Sequence, residues 1–212
     1  MRFVSIIAGC ILFLSGASAP AADTRPVIVA FGDSLTAGYG ADPGHGYPDN
    51  LQRDLDKAGY AYHVENLGIS GETTADGLAR IETVIARKPR IVILEFGGND
   101  GLRGIPVSAA QANLDRIMAR LTAAHIRILL AGITLPPNYG QDYIRPFQMM
   151  YHDLGARYHA AVIPFLLAGV FERHLFQMDG IHPTAEGYAL VAQTVLRYLE
   201  PMLGPPPKPK KG

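Results

Sequence analysis

The 212-residue sequence predicts an α/β domain in which helices cover both faces of a parallel sheet. Two observations carry that expectation. Short, β-branched apolar runs alternate with longer segments whose apolar residues recur every three or four positions. One of the runs, Ile91-Val92-Ile93-Leu94, contains no polar residue, which marks a strand covered on both faces. No internal repeat breaks the alternation, and the length suits one domain with a substantial core.

The elements follow in order. Pro26 to Phe31 is the first strand, bounded by turn residues and emptying into Gly32-Asp33-Ser34-Leu35. Tyr47, Leu51 and Leu55 then recur every four residues, predicting a helix over 47–57. Tyr62 to Leu67 alternates as a strand and runs into Gly68-Ile69-Ser70-Gly71. Thr73 to Arg87 reads as one helix with Leu78, Ile81 and Ile85 on its inner face, stopped by Pro89. Ile91 to Leu94 opens into Phe96-Gly97-Gly98-Asn99-Asp100-Gly101. The clearest helix follows, with Val107, Ala110, Leu114, Ile117, Met118 and Leu121 on one stripe. Ile126 to Ile133 is the fourth strand. Leu135-Pro136-Pro137-Asn138-Tyr139-Gly140 cannot extend it and reads as a loop. Phe147, Met150, Tyr151, Leu154 and Tyr158 mark a helix, Ala161 to Ile163 a short fifth strand, and Tyr188, Val191, Val195, Leu196 and Leu199 a last helix.

The ends read differently. A basic start at Arg2, an apolar stretch from Phe3 to Leu14 and small residues from Ser15 to Ala22 describe a secretory signal peptide over 1–22. Export into the periplasm or the medium is therefore expected, with cleavage between Ala19 and Ala22. Ile7-Ala8-Gly9-Cys10 also resembles a bacterial lipobox, so a lipoprotein anchored through Cys10 is the minor alternative. The domain is expected over 23–203, and the Pro- and Lys-rich stretch 204–212 as a disordered tail. A formal net charge of zero, with no basic patch, argues against nucleic acid as a partner. No membrane span is expected once the leader is gone. The only cysteine lies in the leader, which leaves the mature chain without a disulfide, a cysteine nucleophile or a thiolate metal site.

Four separated stretches supply the parts of an acyl-transfer site. Ser34 lies just past the carboxyl end of a buried strand, where open α/β sheets bind ligands. Asp179-Gly180-Ile181-His182-Pro183 precedes the last helix. Pro183 suits the first helical position and keeps His182 out of helical geometry, so Asp179 and His182 share a bent turn. An acid that orients His182 through Nδ1 leaves Nε2 to take a serine proton. Gly71 and Asn99, both just past strand ends, offer a backbone N–H and a neutral amide to an oxyanion. Each stretch alone is also what an ordinary turn looks like. None of the six other histidines (His45, His63, His125, His152, His159 and His174) is followed by a proline, and of them only His45 has an acid, Asp42, at this spacing.

Together, Gly32-Asp33-Ser34-Leu35, Gly71, Gly97-Gly98-Asn99-Asp100 and Asp179-Gly180-Ile181-His182 resemble the blocks of the SGNH, or GDSL, hydrolase superfamily. Gly97 to Gly104, Leu135 to Gly140 and Asp179 to Pro183 are similar to its bacterial arylesterase and periplasmic thioesterase/lysophospholipase subgroup. The resemblance implies a three-layer αβα, flavodoxin-like domain with a five-stranded parallel sheet. It also implies Ser34 as nucleophile, His182 as base and Asp179 as orienting acid, with the N–H groups of Ser34 and Gly71 and the Asn99 side chain as oxyanion hole. No cofactor and no metal is called for. The expected reaction is hydrolysis of acyl, aryl or lysophospholipid esters, and of thioesters, through an acyl-enzyme whose formation should speed up as the base loses its proton. Leu102, Ile105, Leu135, Pro136, Tyr139 and Ile181 are candidates to line an acyl groove. A carbohydrate O-acetylesterase and a non-catalytic binding module on the same fold stand as alternatives. The oligomeric state is not legible.

Overall fold

The computed structural model describes residues 23–206, so the leader expected over 1–22 and residues 207–212 of the tail expected over 204–212 lie outside the described residues. Five parallel strands, β1 (Val27–Gly32), β2 (His63–Asn66), β3 (Ile91–Glu95), β4 (Arg127–Ala131) and β5 (Ala161–Ile163), pair in the order β2-β1-β3-β4-β5. Ile28 to Phe31 and Ile91 to Leu94 are wholly buried, as runs without polar residues must be. The described residues also form nine α-helices, α1 (Ser34–Ala37), α2 (Tyr47–Lys57), α3 (Thr74–Ala79), α4 (Ile81–Ile85), α5 (Gly98–Leu102), α6 (Val107–Ala123), α7 (Gln141–Tyr158), α8 (Ala168–Glu172) and α9 (Ala185–Leu203), and a 3₁₀ turn at Pro137–Tyr139.

Helix α2 packs against α9, while α3, α6 and α7 pack together as the other layer. The expected stripe of α6 is the buried one: Ala110, Leu114, Ile117, Met118 and Leu121 lie in the core and Val107 at its edge. The chain leaves β1 towards β2 and then returns to the other side of β1 for β3. That reversal opens a crevice beyond the carboxyl ends of β1 and β3, the place where such sheets hold ligands.

Three expectations are corrected. The helix expected over 73–87 is two short ones, α3 and α4, broken at Arg80 (φ −112°, ψ 13°). The Arg80 side chain is held from outside the helix: it donates to Glu72 and to the Gly32 carbonyl and lies 4.4 Å over the Phe31 ring. The inner positions are consequently Gly77, Ile81 and Val84, with Leu78 and Ile85 half-buried. Pro183 is not the first residue of α9. Thr184 caps that helix, accepting from the Gly187 N–H at 3.2 Å, while Pro183 bridges Phe176 as an isolated β-pair. The short helices α1 and α5 stand where turns were expected, and α8 lies in a stretch for which no element was expected.

Candidate active site

Ser34 opens α1 at the exit of β1. Asp33 caps the helix, its Oδ1 accepting from the Leu35 N–H at 3.1 Å. As the first residue of a helix, Ser34 has an N–H with no partner inside it. Its Oγ lies 2.9 Å from His182 Nε2, and His182 Nδ1 lies 2.7 Å from Asp179 Oδ2. Both contacts are satisfied when Nδ1–H donates to Asp179 and the Ser34 hydroxyl donates to Nε2.

The turn 179–182 builds itself. Asp179 Oδ1 accepts from the backbone N–H groups of Ile181 (2.9 Å) and His182 (3.0 Å), which leaves Oδ2 for the ring. The Gln177 N–H donates to the His182 carbonyl at 2.8 Å, and the Tyr39 ring leans on the imidazole at 4.5 Å between centroids. Partial burial works against the Asp179 charge, but the His182 N–H groups and that of Ile181 outweigh it and hold the carboxyl down at about 2. Asp179 is therefore ionised at every pH where a histidine can act as a base.

Asn99 lies in α5, behind Gly97, whose φ of +119° only a glycine adopts without strain. A Cβ there would also meet the Tyr151 hydroxyl at 2.3 Å. The Asn99 amide donates to Asp33 Oδ2 at 3.1 Å and to the Glu72 carbonyl at 2.9 Å. Its neighbour Asp100 is buried and accepts from the Thr74 N–H (2.9 Å) and hydroxyl (2.6 Å), which ties α5 to α3. Gly71 lies on the turn between β2 and α3, and its carbonyl accepts from Arg103 at 2.8 Å.

Ser34, Gly71, Asn99 and His182 all line one cavity of about 850 Å³. Of the six groove candidates, Leu102, Leu135, Pro136 and Ile181 line it. Ile105 and Tyr139 do not: their neighbourhood is tied up by hydrogen bonds from Tyr143 to the Ile105 carbonyl and from Tyr139 to that of Leu102. Much of the remaining apolar lining comes from a stretch that sequence reasoning missed, Phe165, Leu167, Phe171 and Phe176 between β5 and α9. Glu95 and Tyr39 were missed too. Both look like ordinary strand-end and loop residues until the fold brings them under and beside Ser34.

Residues 30–190 match the model of the GDSL-like lipase/acylhydrolase family. The chain belongs to that family. It is 39% identical over 200 residues to "Esterase TesA" of Pseudomonas aeruginosa, covering 93% of this chain and 98% of that one. It is 35% identical over 187 residues to "Thioesterase 1/protease 1/lysophospholipase L1" of Escherichia coli, with 87% of each chain covered. The solved structure "Crystal Structure of TesA" superposes with a TM-score of 0.80 at 40% identity, covering 84% of this chain and 99% of that one. The three-layer fold expected from the sequence is the fold of this GDSL-like family member.

Proposed function

We propose that this protein is a serine esterase that works through an acyl-enzyme. The observation that carries the reading is the run of contacts from Asp179 through His182 to Ser34, opening into an apolar cavity. Ser34 Oγ attacks the carbonyl carbon of an ester or thioester while its proton passes to His182 Nε2. The carboxylate of Asp179 steadies the imidazolium that forms. Negative charge gathers on the carbonyl oxygen and meets the N–H groups of Ser34 and Gly71 and the Asn99 amide. Collapse expels the alcohol or thiol, which takes the proton from His182. Water then repeats the sequence on the acyl-enzyme and frees the acid.

The Asn99 amide reaches the oxyanion by exchanging one of its present partners, so it stabilises the transition state more than the bound ester. Asn99→Ala should lower kcat by about 10²- to 10³-fold with little change in KM. Steady-state kinetics on one p-nitrophenyl ester check this, and a rise confined to KM would remove Asn99 from the hole.

The lining favours an apolar acyl group over the acetyl group of a sugar. Relatives named esterase and thioesterase/lysophospholipase support the same substrate class. Each methylene buried gains about 0.8 kcal/mol, so kcat/KM should climb by up to about fourfold per methylene until the cavity is full. A series of p-nitrophenyl esters from acetyl to palmitoyl measures this. An optimum at acetyl would move the assignment to an O-acetylesterase.

The leader supports export, with residues 23–203 as the hydrolase domain, acting in the periplasm or secreted. N-terminal sequencing of the exported form, expected to start between Pro20 and Asp23, is the check, and a lipid on Cys10 would contradict it. No helix among the described residues is long and apolar enough to cross a membrane.

A further inference from the structure

Beneath the Ser34 turn lies a carboxyl that the proposed reaction does not use. Glu95 closes β3 opposite Gly32 and is wholly buried. Its Oε2 accepts from the Asp33 N–H at 3.2 Å and from the Thr36 hydroxyl at 2.9 Å, and that hydroxyl also meets Tyr47 at 3.2 Å. Its Oε1 is the buried side-chain polar atom that finds no partner among the described residues. The contact is close enough that a Cβ on Gly32 would come within 2.5 Å of Glu95 Oε2.

The residue whose N–H Glu95 accepts, Asp33, carries a second buried carboxyl. Two bare carboxylates side by side, without a cation, are not tolerated in a dry interior. The groups facing them from other elements are Thr36 (α1), Tyr47 (α2), Asn99 (α5), Tyr151 (α7), Tyr188 (α9) and His182. None of these is a permanent cation, and Arg80 is engaged by Glu72 and the Gly32 carbonyl. One proton between the two carboxyls resolves the conflict.

We propose that Glu95 is a positioning residue, protonated at neutral pH, that donates its proton to the Asp33 carboxylate. The pair then carries one negative charge, seated on Asp33. From there it accepts from the Leu35 N–H and from the Asn99 amide, fixing the Ser34 turn and the oxyanion donor together. Burial, followed by the Asp33 charge, pushes Glu95 well above the ordinary carboxyl range. Burial raises Asp33 as well, while the Leu35 N–H, the Glu95 carboxyl and Asn99 pull it back down. Both Asp33 oxygens already accept, from the Leu35 N–H and the Asn99 amide, while Glu95 Oε1 has no partner among the described residues, so the proton belongs on Glu95. Acid–carboxylate pairs that share a proton gain a short, charge-assisted hydrogen bond.

The role rests on the esterase reading only in its kinetic arm. Three measurements on wild type, Glu95→Gln and Glu95→Leu test it. Infrared spectra at pH 7 should show a protonated-carboxyl C=O band in wild type that is missing in Glu95→Gln; identical spectra would overturn the proposal. The native chain keeps a proton that the unfolded chain releases above ~4.3, so wild type should lose ground to Glu95→Gln as pH rises. The ratio of their unfolding constants should change by about tenfold per pH unit until Glu95 ionises, and parallel profiles would overturn it. In turnover, Glu95→Leu should lose at least about tenfold in kcat with KM held, and the amide of Glu95→Gln, still a donor, should recover most of that. Equal loss in both variants would overturn the role. Should Glu95→Leu not fold, the infrared and stability arms on Glu95→Gln decide. Failure of the esterase reading would appear instead as full turnover by Ser34→Ala, which leaves those two arms untouched.

Discussion

Ser34→Ala should lower kcat by roughly 10⁴- to 10⁶-fold while leaving KM and the thermal midpoint close to wild type. The size follows from what the hydroxyl does: without it no acyl-enzyme forms, and what survives is binding plus the remaining oxyanion donors acting on water. The small cost in stability follows from the packing. Ser34 is only half-buried, its Oγ has His182 as its side-chain partner, and the cap and backbone bonds of α1 come from Asp33 and the helix itself. Activity assays on a p-nitrophenyl ester beside thermal melts check both halves. Turnover within tenfold of wild type would remove Ser34 from the chemistry.

Asp179→Asn should cost about 10⁴-fold in kcat, far more than the loss of a half-exposed charge. The carboxylate takes three N–H groups, those of Ile181 and His182 on Oδ1 and the ring Nδ1–H on Oδ2. An amide has one oxygen for the three. Either the turn loses its backbone bonds, or the amide N–H₂ faces Nδ1 and forces the ring proton onto Nε2, where it cannot accept from Ser34. Stability has a pH signature as well. The folded carboxyl is held at about 2, below the ordinary 3.8, so its contribution is present above pH ~4 and is lost as pH falls towards 2. The melting-point gap between wild type and Asp179→Asn should therefore narrow on acidification, and a gap that widens would contradict the assignment. Because Asp179 stays ionised, loss of activity on mild acidification should not report this carboxyl.

What was legible in the sequence depended on distance along the chain. The strands from Val27 and Ile91 and the stripe of α6 were readable because burial on a sheet or helix face writes its period locally. The contacts of Asp179, His182 and Ser34 were readable as an expectation because turn chemistry surrounds each of them. The break at Arg80 was not, since its causes, Glu72, Gly32 and Phe31, come from other elements. Helices of four or five residues such as α1 and α5 carry too few positions to show a period. Glu95 was invisible for a related reason. A glutamate after four apolar residues looks like the solvent end of a strand, and only the return of β3 beside β1 sets it against Asp33. The aromatic wall from Phe165 to Phe176 also gains meaning only when its loop folds over the mouth of the crevice.

The central claim is a covalent intermediate on Ser34, and rapid acid quench followed by intact mass and peptide mapping tests it most directly. With a p-nitrophenyl ester in excess, the account requires one acyl group per chain, on the peptide that contains Ser34, at an amplitude matching the burst of p-nitrophenol. The same adduct should be absent from Ser34→Ala. Turnover without any adduct under conditions where a burst is seen, or an acyl group mapped to another side chain, would contradict it.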